Sequence, residues 1–411
     1  MKPKLILINV ILLQVLLNTC YVVKCEKINL IPKDSLFFSG INDIHTNFYF
    51  YDKSSKKEYL FNYDGFNKKI MIFNFSNGNK INEIPLKNTI NSFYVHNLDS
   101  IFLSNNDDFS EINNTISLIN SKGELKGIYD FSKVLITERQ NKNYVRLKLN
   151  DNPYSFFTFC FKNNFFFLQV APEGLERNEK YYYPTIAVVF LKNNSLFNID
   201  LLGKYPVFYN SKDIYVADYT SFVVQNIEYS IKKNITQLKY SILNSFILTD
   251  DVYLYEKKIN INDININSND NISKNIIIDA TKTFNIHSNN KGSFLPITKH
   301  FQGDIVTYNG FKYSSIKYDN FRNLYYRIAI HTRQQQTIIN DENGESKEVS
   351  KQNWSIIFTD KNFKIIDEII ISDDINYAKD FFITKNGLAF IKLEDVFEKK
   401  GITIVKCKLQ H

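Results

Sequence analysis

Short runs of β-branched and aromatic residues follow one another along almost the whole chain, separated by clusters of Asn, Asp, Gly and Lys. Runs of this kind bounded by turn formers predict β-strands joined as hairpins, and helical periodicity is nearly absent. Four hairpins share one form. The first pairs residues 70–75 with 80–86 around Ser76-Asn77-Gly78-Asn79, and the second pairs 116–119 with 124–131 around Asn120-Ser121-Lys122-Gly123. The third pairs 186–191 with 195–202 around Lys192-Asn193-Asn194, and the fourth pairs 354–358 with 363–371 around Thr359-Asp360-Lys361-Asn362. Other strand-like runs, such as 59–63 and 100–103, precede several of them.

A unit of about four strands in about 40–50 residues, repeated around a ring, is what a β-propeller requires, because one small twisted sheet cannot bury both of its faces alone. About six irregular blades fit the chain length at that repeat size. The predicted fold is therefore all-β and propeller-like, a single domain over residues 26–411, with a pair of two-sheet sandwiches as the alternative. An Asn-, Ile- and Asp-rich stretch near 259–274 reads as an expanded loop or hairpin tip, and residues 342–352 as a polar insertion between strands.

The first residues break this pattern. Lys2 and Lys4 precede an apolar run that ends near Leu17, too short to span a bilayer and suited to an export signal. Two cleavage readings compete. Leu16-Leu17-Asn18-Thr19-Cys20 resembles a bacterial lipobox, which makes residues 1–19 the signal and Cys20 the lipidated first residue of an outer-membrane-anchored protein. Ordinary cleavage after Cys25 removes residues 1–25 and leaves a soluble, secreted one.

Composition narrows the function classes. The net charge is +7, but the lysines are interleaved with acids along the sequence, without the basic stripe of a nucleic-acid binder. With Cys20 lipidated, Cys25, Cys160 and Cys407 remain. A Cys160–Cys407 bridge and two buried thiols are both open readings. The histidines form no metal-binding spacing, and no nucleophile elbow, phosphate loop or dinucleotide fingerprint occurs, so no metal, cofactor or catalytic residue is assigned. The acid pairs Asp107-Asp108, Asp250-Asp251 and Asp373-Asp374 read as turn residues.

Lysine outnumbers arginine 44 to 6, yet Arg322, Arg327 and Arg333 fall close together. Arginine kept where lysine is favoured points to a use of the planar guanidinium. A strand through residues 324–331 would put Tyr325, Arg327, Ala329 and His331 on one face and Tyr326, Ile328 and Ile330 on the other. Tyr326, Arg327 and His331 are thus the candidate ligand residues, Arg327 and His331 aimed together into an axial cavity. The competing structural role is an Asp319–Arg327 pair at a corner between blades, with Arg322 on the surface.

The C-terminal third resembles a family of uncharacterised Bacteroidetes proteins grouped as a domain of unknown function. The resemblance is carried by Tyr318-Asp319 leading through Arg322 to Tyr325-Tyr326-Arg327, by the run from Trp354-Ser355-Ile356 to Asp367-Glu368, and by Asp380-Phe381-Phe382-Ile383-Thr384-Lys385-Asn386-Gly387. It implies export, frequent lipid anchoring and a propeller-like fold; it carries no established activity. The function expected is a binding or scaffold module of the bacterial cell envelope, its partner an envelope protein, a peptide or a polysaccharide, its membrane link the N-terminal lipid alone. The alternatives are an extracellular propeller lyase or hydrolase, and a soluble secreted protein of an AT-rich eukaryotic parasite.

Overall fold

The computed structural model describes residues 28–41, 46–105, 114–138, 144–149, 159–173, 183–204, 220–232, 235–246, 249–260, 277–278, 280–289, 311–332, 337–340, 346–349, 352–371, 377–392 and 401–410. The export segment with Cys20 and Cys25, most of the Asn-rich stretch, Arg333, and the acid pairs at 107–108 and 373–374 lie outside them.

After the opening strand β1 (Asn29–Ser39), the chain folds sheet by sheet. The first sheet is β2 (Asn47–Asp52), β3 (Lys57–Asp64), β4 (Lys69–Asn74) and β5 (Lys80–Pro85), and the second is β6 (Ile90–Asn97), β7 (Ser100–Asn105), β8 (Thr115–Ile119) and β9 (Leu125–Asp130), both in sequence order. The third is curled. It contains β10 (Ile136–Glu138), β11 (Tyr144–Leu149), β12 (Phe159–Lys162), β13 (Phe165–Pro172), β14 (Ile186–Lys192) and β15 (Ser195–Leu202). Here β12 pairs with Phe165 to Leu168 of β13 and β11 with Val170 to Pro172, so two strands share one edge.

The fourth sheet comprises β16 (Thr220–Lys232), β17 (Ile235–Phe246) and β18 (Asp251–Asn260); β19 (Ile277–Ile278) returns to pair parallel with β15, and β20 (Lys282–Asn285) completes the fourth sheet. The fifth is β21 (Lys312–Asp319), β22 (Leu324–Ile330), β25 (Trp354–Thr359) and β26 (Ile365–Ile371), with the hairpin β23 (Thr337–Asn340) and β24 (Ser346–Val349) between its middle strands. The sixth joins both ends of the chain. Its order is β27 (Tyr377–Thr384), β28 (Gly387–Lys392), β29 (Gly401–Gln410) and then β1, with Asn29 opposite Gln410 and Ser39 opposite Gly401.

All four predicted hairpins are present, and their turns follow from residue type. Asn163-Asn164 and Asn193-Asn194 each close a two-residue turn at positive φ, the conformation whose twist matches a hairpin and which Asn tolerates. The turns after β8 and β25 have the same bonds: Asn120 Oδ1 accepts the N–H groups of Lys122 and Glu124, and Asp360 Oδ1 those of Asn362 and Lys364. Gly123 sits at φ +81° in one and Phe363 at φ +64° in the other.

Six apolar clusters fill the interfaces between successive sheets. Alternation within strands sorts the residues: Leu60, Met71 and Phe73 of the first sheet pack toward the sixth, whereas Phe61, Ile70 and Ile72 pack toward the second. The ring is a β-propeller of five four-stranded blades and a curled sixth sheet, closed by the antiparallel pairing of β1 with β29. Burying each Phe contributes about 2–3 kcal/mol, and many of the chain's aromatics serve here as blade filling. Cys160 and Cys407 belong to different blades and are free thiols, so the bridge does not form.

Candidate functional site

Strand β22 splits its side chains as the period of two requires. Tyr325 and Ala329 join the cluster shared with the fourth blade, while Tyr326, Ile328 and Ile330 join the cluster shared with the sixth. Tyr326 is therefore on the other side of the blade from Arg327, and the three candidate ligand residues do not converge.

Arg327 is 1% exposed and is directed into the fourth blade rather than an axial cavity. Its Nη1 donates to the carbonyls of Asp250 and Ile286, both at 2.6 Å, and its Nη2 to that of Thr249 at 2.6 Å. The guanidinium stacks on the Tyr313 ring 3.6 Å from the centroid, which only a flat cation can do while bonding sideways. The corner between blades is real, but its acceptors are main-chain carbonyls, not Asp319.

Asp319 is fully buried and serves its own hairpin turn. It accepts the N–H groups of Phe321 and Arg322, the Arg322 guanidinium and the Tyr326 hydroxyl. Burial and the nearby Asp319 charge push the Tyr326 hydroxyl above the usual phenol range. Arg322 is not the surface residue expected: its Nη2 reaches the carbonyls of Thr384 and Lys385, at 3.0 and 3.1 Å, and ties the turn of the fifth blade to that of the sixth.

His331 lies at the end of β22, half-buried, edge-on to Phe311. Its Nε2 is 3.0 Å from Ser355 Oγ. Ser355 donates its one proton to Glu368 at 2.5 Å, and Ser288 Oγ and the Asn289 N–H donate to the same carboxylate. A hydroxyl has one proton, so Ser355 accepts from His331, whose Nε2 carries the hydrogen. Serine, histidine and acid are adjacent, but the serine stands between the other two. That order gives the histidine no proton to take, and the group binds three chain segments together instead of activating a nucleophile. Burial lowers the His331 pKa, partly opposed by Glu368.

A second cluster carried no local signal in the sequence. The turns between the first two strands of blades one, five and six meet: Tyr51 packs edge-on to Phe321 with ring centroids 5.5 Å apart, and the Lys385 ammonium stands 5.9 Å from the centre of the Tyr51 ring. Phe321 is 39% exposed, and Lys53, Lys56 and Lys57 are exposed in the same turn as Asp52. These residues are far apart in sequence, and ring closure alone brings them together. Among the described residues no group of His, Cys, Asp and Glu is placed to hold a metal.

The fold is similar to the solved structure of a member of the DUF4221 family from Bacteroides vulgatus, at 19% identity and TM-score 0.57, with 94% of this chain and 100% of the other covered. The likeness is one of fold. It is the same β-propeller arrangement that the six clusters describe. BBS1N in complex with ARL6DN aligns at 8% identity and TM-score 0.39, over 94% of this chain and 98% of that one. BamB from Moraxella catarrhalis aligns at 9% and 0.34, over 92% and 100%. The sequence matches no protein-family model and no curated protein.

Proposed function

We propose that this chain is an exported binding or scaffold module of the bacterial cell envelope, anchored through lipid on Cys20 and recognising a glycan, a peptide or a partner protein. The observation that supports the reading is the unequal length of the connections at the two ends of the blades. One end is closed by tight turns, among them Asn163-Asn164, Asn193-Asn194 and those after β2, β21 and β27, with the 261–281 connection as the exception. The other carries the connections 173–185, 286–311 and 331–353, the last of which holds the hairpin β23–β24. Long connections on a compact scaffold are where recognition concentrates.

The lyase or hydrolase reading draws no support from the candidate residues, since Tyr326, Arg327 and His331 are engaged on two different blade interfaces. Two experiments test the proposal. Mass spectrometry of the mature N-terminus distinguishes acylated Cys20 from an unmodified terminus at Glu26, which would favour the soluble secreted alternative. Glycan and peptide arrays probed with the parent and with a variant whose residues 332–351 are replaced by a short Gly-Ser connector test the recognition face. Loss of a parent signal supports it, and a signal retained at full strength contradicts it.

A further inference from the structure

Six exposed lysines stand at the tight-turn end of three neighbouring blades: Lys361 and Lys364 on the fifth, Lys385 on the sixth, and Lys53, Lys56 and Lys57 on the first. The acids of these turns are already engaged. Asp52 accepts from Ser54 and Ser55, Asp360 from the N–H groups of Asn362 and Lys364, and Asp319 is buried under Arg322 and Tyr326. The carboxylates of Asp52 and Asp360 are thus held by hydroxyl and N–H donors of their own turns, while the six lysines are exposed. Arg322 fixes the turns of the fifth and sixth blades to each other, and Tyr51 and Phe321 lie among the lysines.

The chain enters the ring at this same end. Asn29 pairs with Gln410, and Lys408 two residues earlier pairs with Gly387 in the turn beside Lys385. From Cys20 to Ile28 a fully extended chain reaches at most ~28 Å.

We infer that the tight-turn end of blades five, six and one docks on an anionic phospholipid bilayer, with the lysines on lipid phosphates and Tyr51 and Phe321 at headgroup depth; this rests on the reading that Cys20 bears the lipid. Lysine attraction to such a surface fades within about 8 Å at physiological salt, so a short tether and a basic face act together: the tether keeps the face within reach and the charges orient it. The opposite end of the ring, where β13, β20 and β22 end, then faces away from the membrane.

The test uses the chain beginning at Glu26, without lipid, so that vesicle binding is measured independently of acylation. It is sedimented with vesicles of phosphatidylcholine alone and of phosphatidylcholine mixed with phosphatidylglycerol. The parent is expected to bind only the mixed vesicles and to be released by salt. The combined Lys53→Glu, Lys56→Glu, Lys57→Glu and Lys385→Glu variant should bind at least about a hundred-fold more weakly, since each lysine near an anionic surface is worth about five-fold. A control with Lys68→Glu, Lys87→Glu and Lys133→Glu, exposed at the opposite end, should bind as the parent does. Equal binding by the two variants, equal binding to both vesicle types, or no parent binding would overturn the docking surface. An unmodified N-terminus found by mass spectrometry would instead remove the anchor and leave the vesicle result to stand by itself.

Discussion

Asp367 and Glu368, consecutive residues of β26, hold the fifth blade to its two different neighbours. Asp367 Oδ2 accepts the Ile28 N–H at 2.6 Å, where the chain enters the sixth blade, and Glu368 accepts from Ser288 and Asn289 of the segment that follows the fourth. Strand alternation turns adjacent acids to opposite faces, so one dipeptide closes two interfaces. Glu368→Gln leaves one oxygen to accept and is expected to cost about 2 kcal/mol, the scale of hydrogen bonds to a charged group. Urea melts of Glu368→Gln, Asp367→Asn and the double variant check it; near-additive losses are expected because the partners differ.

Arg327→Met should destabilise by about 3 kcal/mol, because it strands buried carbonyls of Thr249, Asp250 and Ile286 without their donor. Arg327→Lys should recover less than half, since an ammonium cannot both stack on Tyr313 and bridge separate carbonyls. Equal stability of the lysine variant and the parent would contradict the clamp.

Phe363 holds a left-handed backbone conformation at φ +64° while packing on Phe284 at 4.1 Å and Tyr325 at 4.8 Å. The backbone costs about 1 kcal/mol, and losing the ring costs about 3–5 kcal/mol. Phe363→Gly should therefore be destabilised, but by about 1 kcal/mol less than Phe363→Ala, because glycine alone relieves the strain. Denaturant midpoints that rank alanine above glycine would refute the account of this turn.

His331 is held neutral by burial, its pKa below the ordinary 6.5. The unfolded chain then binds more protons than the native one as pH falls below 6.5, so this group's contribution to stability is present above that pH and is lost on acidification toward the folded value. Melting temperatures of the parent should fall between pH 7 and 5 more steeply than those of His331→Gln, which keeps a donor for Ser355 and cannot titrate. Parallel pH profiles would contradict the assignment.

Both thiols are raised by burial, Cys160 to about 12 and Cys407 to about 11. The thiolate is the reactive form, so alkylation of the native protein at pH 7 should leave both unlabelled, and unfolding should expose both. Rapid native labelling of either would place it elsewhere.

The hairpins were legible in the sequence because a strand and its neighbour are close in the chain, and Asn, Asp and Gly mark the turns between them. The faces of β22 were legible for the same reason, since alternation is local. The partners were not. Arg327 binds main-chain carbonyls, which every residue has and which leave no trace in residue type. Asp319 found Arg322 three residues on, through a turn whose geometry the linear pattern does not state. Glu368 meets Ser288 across the interface of the fourth and fifth blades, 80 residues apart in the chain, and Tyr51 meets Phe321 only once β1 closes on β29.

Buried polar groups hold the ring together, and we propose that recognition belongs to its long connections. Binding to one array ligand and thermal melting, measured side by side for Arg327→Met and for the variant shortened at 332–351, test it most directly. Arg327→Met should melt roughly 4 °C lower, for about 3 kcal/mol in a chain of this length, yet bind as the parent does where both are folded. The shortened variant should melt with the parent and bind nothing. Loss of binding by Arg327→Met at an unchanged melting temperature would contradict it.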